Sequence, residues 1–271
     1  MRTIITQCTT PGMLALTYDD GPYSFTSQLL DTLDQLSVKV TFFITGNNLG
    51  KGEIDGCSTG WSAILQRMYS SGHQLAHHTW THQDFSVVNT TIMQSEMIYN
   101  EMAFRNIFGW FPTYMRPPYL DCPSSCLSLM SSLGYHVITT DLDTKDYEND
   151  SPTLIQNSKD RFSAGLSNTS SSNSYIDLAH DIHYQTVVNL TAYMVSTAKQ
   201  RGYQLVTFEF EFRLRQRYGH FSKLRVSFQH GYHDTWRDYV NGNDYGEHQQ
   251  QCDRLVHKGH DHGNNHHRLH I

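Results

Sequence analysis

The chain has 271 residues, with 20 Lys and Arg against 26 Asp and Glu and a formal net charge of −6 at neutral pH. This length fits one large domain with a substantial core, and we expect a monomer. The acidic balance argues against a nucleic-acid partner, which takes clustered Lys and Arg. No apolar run is long enough to span a bilayer, so we expect no membrane partner.

Apolar runs typical of strands alternate with runs at helical spacing along the first 208 residues. The predicted strands cover residues 13–18, 38–45, 74–79, 113–116, 135–140, 175–179 and 204–208. Helices are predicted after the first four strands, over residues 25–36, 61–68, 92–104 and 127–133, and after the sixth, over residues 187–198. A loop rich in Ser and Asn precedes the sixth strand.

This alternation indicates βαβ units and a parallel sheet. We therefore predict an α/β fold, a distorted (β/α) barrel with about seven parallel strands. A doubly wound sheet is the rival, but no Gly-rich phosphate loop follows the first strand. Beyond residue 210 the sequence turns to Arg, Gln, His and Asn without an apolar period. We predict one folded domain over residues 1–210 and a His-rich, poorly ordered tail over residues 211–271.

Two features bear on the compartment of the protein. The first seven residues lack the apolar stretch of a secretory signal peptide, which leaves an intracellular protein or a chain that starts at a mature N-terminus. The second option is favoured by four Asn-x-Ser/Thr sequons, at Asn89, Asn149, Asn168 and Asn189. We expect a secreted or cell-wall glycoprotein.

Polar residues concentrate where the predicted strands end, in segments 17–22, 77–82, 116–119, 141–147 and 178–181. In a parallel barrel the carboxyl ends of the strands converge on one face, where barrel enzymes keep their active sites. We expect these five segments to form one site.

Two of these segments carry a set of residues suited to a metal. His78 and His82, with one carboxylate of the Asp19–Asp20 pair, give three ligands and leave positions open for water and substrate. Zinc suits the set, and cobalt, manganese or iron are alternatives. The other aspartate would take a proton from water. His77 points away from His78 along a strand and is not expected to bind the metal. Without this context, the histidines would read as surface residues and Asp-Asp-Gly-Pro as a turn.

In order and spacing, the five segments resemble the five motifs of the polysaccharide deacetylases, the NodB-homology domain of carbohydrate esterase family 4. The resemblance covers about residues 8–208 and is strongest to fungal chitin deacetylases. It rests on Gln7-Cys8, on His78-Thr79-Trp80-Thr81-His82, and on Arg116-Pro117-Pro118-Tyr119-Leu120 followed by Cys122 and Cys126.

The resemblance implies a role for each matching residue. Metal ligands would be Asp20, His78 and His82. Asp19 would be the general base, oriented by Arg116. His180 would be the general acid, held by Asp146. The backbone N–H of Tyr119 would bind the oxyanion. Leu178 would contact the acetyl methyl of the substrate, and Trp80 and Tyr119 would pack against its sugar rings. Trp80 could equally be a core residue.

The implied activity is metal-dependent hydrolysis of N-acetyl groups from the N-acetylglucosamine residues of chitin or chitooligosaccharides. Alternatives within the class are O-deacetylation of acetylated xylan and deacetylation of peptidoglycan sugars. Outside it, the chain would be an inactive sugar-binding relative or would store metal through the tail histidines. The resemblance also implies a Cys122–Cys126 disulfide, and it leaves Cys8 without its usual partner unless Cys252 substitutes.

Overall fold

The structure, a computed structural model, describes residues 4–208. The predicted tail over residues 211–271 and Cys252 lie outside the described residues. The described part of the chain contains nine short strands: β1 Met13–Ala15, β2 Thr17–Asp19, β3 Thr41–Ile44, β4 Gln74–His77, β5 Tyr114–Met115, β6 His136–Val137, β7 Leu142–Asp143, β8 Tyr175–His180 and β9 Gln204–Leu205. It also contains six α-helices: α1 Thr26–Leu36, α2 Trp61–Ser70, α3 Thr90–Phe108, α4 Ser124–Leu133, α5 Ile155–Gly165 and α6 Thr191–Gln200.

The strands form one sheet in which each described pairing is parallel, in the order β6-β5-β4-β3-β2-β8-β1-β9, with β7 also beside β8. Strands β1 and β2 are two halves of one strand, and both pair with β8. Within residues 136–143, β6 pairs with β5 and β7 pairs with β8. This segment joins the two sides of the sheet and curls it into a barrel. The predicted distorted (β/α) barrel with about seven parallel strands is confirmed.

Alternation along β1 and β2 separates two environments. Leu14, Leu16 and Tyr18 pack in the outer apolar cluster, beneath the helices. Met13 and Ala15 belong to an inner apolar cluster. The inner face of this strand then turns polar, since Thr17 and Asp19 continue it as buried residues. The barrel interior therefore changes from apolar to polar toward the carboxyl ends of the strands.

Local signals explain several helix ends. The Asn89 side chain accepts a hydrogen bond from the backbone N–H of Ile92 and begins α3. Gly109 and Gly134 end α3 and α4 with φ of 78° and 86°, a left-handed conformation that glycine adopts without a Cβ penalty. The predicted helix over residues 127–133 agrees with the observed end of α4 at Leu133.

Helix α5 was not predicted. It buries only Ile155, Ser158 and Phe162, so its polar sequence hides the apolar period of a helix. Its position comes from packing against α6 and β7. The helix predicted over residues 187–198 begins instead as a π-helical turn, Thr186–Leu190, that continues into α6.

The predicted Cys122–Cys126 disulfide is confirmed, and it closes the short segment that leads into α4. Cys8 is buried, with its Sγ 3.1 Å from the carbonyl oxygen of Tyr175. Within residues 4–208, none of the helices combines the length and the apolar character needed to cross a membrane.

Candidate metal and acid–base site

The predicted site segments meet at the carboxyl ends of the strands. Asp19 ends β2 and Asp20 follows it, His78 follows β4, Arg116 follows β5, and His180 ends β8. Parallel pairing of β2 with β8 sets Asp19 opposite His180. The topology thus brings together residues up to about 160 positions apart in the sequence.

Asp20, His78 and His82 form a compact cluster. Oδ1 of Asp20 lies 3.3 Å from Nε2 of His82 and 3.5 Å from Nε2 of His78. One ligand atom from each residue lies within 4.8 Å of the others. These are the three residues that the resemblance assigns to a metal.

The donor set fits a divalent cation. Among the described residues, Oδ1 of Asp20 is buried and accepts no hydrogen bond, although a buried carboxylate oxygen requires a partner. Nδ1 of His78 lies 2.7 Å from the carbonyl oxygen of Arg116, so an Nδ1–H donated there leaves the Nε2 lone pair toward Asp20. Burial lowers the pKa of His78 well below its usual value, which keeps the ring neutral, as a ligand must be.

Backbone strain concentrates around this cluster. Left-handed φ values at non-glycine residues cost about 1 kcal/mol or more and gather at functional sites. Six of the eight such residues in the described chain lie in the loops of the site: Asp20, Thr79, His82, Tyr119, Leu120 and Lys145.

Asp19 is held by a buried arginine. Nη1 of Arg116 donates to Oδ1 of Asp19 at 2.7 Å and to Oγ1 of Thr17 at 2.7 Å, and Nη2 donates to the carbonyl oxygen of Thr139. The guanidinium also lies over the ring of Phe43, 4.1 Å from its centroid. Burial raises the pKa of Asp19, and the charge of Arg116 opposes that rise. The second carboxylate oxygen of Asp19 lies 3.8 Å from Nε2 of His78, facing the metal-ligand cluster.

His180 is paired with a buried carboxylate. Oδ1 of Asp146 lies 2.8 Å from Nδ1 of His180, while Oδ2 accepts the backbone N–H of His180 and the hydroxyl of Thr186, both at 2.7 Å. Burial alone would lower the pKa of His180, but the charge and hydrogen bond of Asp146 raise it to about 10. The pairing with Asp146 therefore favours the protonated form of the His180 imidazole.

Aromatic rings flank both halves of the site. The Tyr119 ring is 68% exposed and 4.9 Å from the His82 ring. The Tyr147 ring is 44% exposed and lies edge-on to His180 at 5.4 Å. Leu178 is buried on β8.

Trp80 is partly buried in the outer core, with Tyr99 beside it. Its ring occupies the space where a Cβ on Gly46 would lie, so residue 46 has to be glycine.

The sequence did not identify the residues that support the Asp20 turn. Nζ of Lys51 donates to the carbonyl oxygens of Asp20 and Gly21, both at 3.1 Å, and to the hydroxyl of Thr45. Oδ2 of Asp181 accepts from the hydroxyl of Thr26 and lies where a Cβ on Gly21 would be. Asp181 belongs to a segment singled out above, whereas no pattern marks Lys51.

Comparison with known proteins gives concordant matches. The polysaccharide deacetylase family model matches residues 6–138. A chitin deacetylase of Colletotrichum lindemuthianum is 46% identical over 205 residues, which cover 76% of this chain and 81% of the relative. A probable peptidoglycan-N-acetylglucosamine deacetylase of Arthroderma benhamiae is 40% identical, over 75% of this chain and 45% of the relative.

The fold is similar to a solved structure as well. The structure of the chitin deacetylase from Colletotrichum lindemuthianum matches with a TM-score of 0.74 and 45% identity, over 77% of this chain and 91% of that chain.

Proposed function

This chain belongs to the polysaccharide deacetylase family, and on that premise we propose that it removes N-acetyl groups from N-acetylglucosamine residues of chitin or chitooligosaccharides. One observation carries the proposal: a cluster fit for a divalent cation lies beside a buried carboxylate, Asp19, and beside His180, an imidazole paired with the buried carboxylate of Asp146. Zinc is the best match to one carboxylate and two imidazoles, with cobalt and manganese as substitutes. Secretion or a cell-wall location suits a polymeric substrate.

The chemistry needs a base and an acid together. A divalent cation held by Asp20, His78 and His82 would polarise the acetamide carbonyl and make water more acidic. Asp19 takes a proton from the attacking water, because its pKa is raised by burial and Arg116 fixes its orientation. The water oxygen bonds to the carbonyl carbon, and the C–N bond then breaks.

The leaving nitrogen must be protonated, since an amide nitrogen is otherwise a poor leaving group. His180 gives that proton, and Asp146 keeps the ring charged and turned toward the site. The products are acetate and a free amine. We assign the oxyanion to the backbone N–H of Tyr119, the contact with the acetyl methyl to Leu178, and the sugar face to the exposed ring of Tyr119.

A second substrate has support from the name of a relative. The Arthroderma benhamiae protein is named for peptidoglycan N-acetylglucosamine, which carries the same acetamide. Acetylated xylan is a further alternative, and its product would be a hydroxyl.

The experiment compares acetate release by the zinc-loaded protein from three substrates: N-acetylglucosamine tetramer, peptidoglycan and acetylated xylan. We expect the tetramer to be preferred and its product to carry free amines. Acetate from xylan alone, with no new amine from either N-acetylated substrate, would refute N-deacetylation.

Replacing Asp146 with asparagine is predicted to move the alkaline limit of activity to lower pH. His180 acts as an acid only while protonated, so activity falls as pH rises through its pKa, about 10 with Asp146 in place. Asparagine removes the negative charge that opposes burial, so that pKa falls. At neutral pH we expect a loss of up to about 10²-fold in kcat/KM.

The measurement is the pH profile of kcat/KM at saturating zinc. Asp150→Asn is the matched control, since Asp150 pairs with His183 rather than with His180. Its profile should keep the alkaline limit of the unchanged protein. An Asp146→Asn profile with an unmoved alkaline limit would contradict the assignment of His180 as the acid.

A further inference from the structure

The loop that carries His82 has an unusual backbone. Thr79 and His82 have φ values of 69° and 63°, which non-glycine residues adopt at a cost of about 1 kcal/mol or more each. The hydroxyl of Thr79 accepts the backbone N–H of His82 at 3.2 Å, so one strained residue supports the other. A loop of this kind keeps a single ligand geometry only if its backbone is fixed from outside.

Glu96, on α3, makes three hydrogen bonds to this loop. Its Oε2 accepts the backbone N–H groups of Trp80 at 3.0 Å and Thr81 at 2.7 Å, and its Oε1 accepts the Thr81 hydroxyl at 2.5 Å. Glu96 is 6% exposed, so water has little access to replace it. Buried backbone N–H groups left without an acceptor cost about 1–3 kcal/mol each, which favours another loop conformation once Glu96 is gone.

Asn100 fixes the start of the same loop. It lies one turn after Glu96 on the same face of α3. Its Nδ2 donates to the carbonyl oxygens of Thr79 and Ile44, both at 2.9 Å. Side chains of α3 therefore hydrogen-bond to the backbone of residues 79, 80 and 81, which lie between the two histidines of the metal cluster.

We propose that Glu96 is a positioning residue for the metal centre. By holding the amides of Trp80 and Thr81, it fixes the left-handed turn that directs His82 toward Asp20 and His78. Within the described residues, Glu96 makes no hydrogen bond to the three ligand side chains. It also takes no part in the proposed proton transfers. This inference rests on the proposed metal site.

The test measures zinc affinity by competition with a chromophoric chelator, and the unfolding temperature of the metal-free protein. Glu96→Ala should bind zinc about 10- to 100-fold more weakly, the range seen when the support of a ligand is lost. Glu96→Gln should bind nearly as tightly as the unchanged protein, because its amide oxygen accepts the two N–H groups and its NH₂ donates to the Thr81 hydroxyl. Glu96→Asp, whose shorter side chain cannot span both contacts, should also weaken binding and serves if the alanine variant does not fold.

Glu101 provides the matched control. It lies on the same helix, is 4% exposed, and accepts a hydrogen bond from the Tyr135 hydroxyl at 2.6 Å instead of from the loop. Glu101→Ala should lower the unfolding temperature while leaving zinc affinity unchanged. Equal affinities for Glu96→Ala and the unchanged protein, or an equal loss for Glu101→Ala, would overturn the inference alone. An unchanged protein that binds no zinc would instead remove the proposed function together with the inference.

Discussion

Asp19→Asn is expected to lower acetate release from N-acetylglucosamine oligomers by about 10²- to 10⁴-fold, the usual contribution of a general base. Asparagine has almost the same shape as aspartate, and its amide oxygen can still accept the hydrogen bond of Arg116. It cannot take a proton from water. The loss should therefore fall on kcat, while zinc affinity stays within a few-fold of that of the unchanged protein.

Folding has to be followed beside activity. Asparagine leaves the buried charge of Arg116 without its carboxylate, and breaking a buried ion pair costs about 3–5 kcal/mol. Rates should be taken at a temperature at which circular dichroism shows the variant folded. Asp121→Asn is the control and should retain full activity, because Asp121 is an exposed residue that directly follows the Tyr119–Leu120 turn. A folded, zinc-loaded Asp19→Asn protein with undiminished kcat would contradict the role of Asp19.

His78→Ala is expected to weaken zinc binding by more than about 100-fold and to abolish activity at micromolar zinc. Loss of a residue that only supports a ligand costs about 10- to 100-fold, and loss of the ligand itself costs more. Only Asp20 and His82 would then face the cation. Chelator competition measures the affinity, and acetate release across a zinc titration measures the activity.

His73 offers a matched control. It is also buried, and its Nδ1 accepts the backbone N–H of Val40. His73 precedes β4 whereas His78 follows it, so the two histidines lie at opposite ends of that strand. His73→Ala should lose about 1–3 kcal/mol of stability through that unpaired N–H while keeping zinc affinity. An intact zinc affinity in His78→Ala would contradict the assignment of His78 as a ligand.

The barrel was predictable because its signals are local. The seven predicted apolar runs overlap every described strand except β7, and the polar segments at the ends of β2, β4, β5 and β8 are visible in the sequence. One rule, that parallel strands end on a common face, then brings Asp20, His78, Arg116 and His180 together. The rule needs no distances. The sequence therefore predicts which residues meet at the site, but not the distances and hydrogen bonds between them.

The remaining features depend on packing. Helix α5 buries too few apolar residues to show a period, and the break between β6 and β7 follows from how residues 136–143 pair with two different neighbours. Lys51 and Glu96 act on backbone atoms of other segments, so neither carries a pattern of its own. The left-handed φ of His82 likewise has no signal in the sequence.

The most direct test of the proposed function is acetate release from N-acetylglucosamine tetramer by the unchanged protein, first stripped of metal by a chelator and then supplied with zinc. We expect no acetate from the stripped protein. After zinc is added, we expect acetate and free amine in equal amounts. Full activity in the stripped protein, or none from a folded protein shown to hold zinc, would contradict a metal-dependent N-deacetylase.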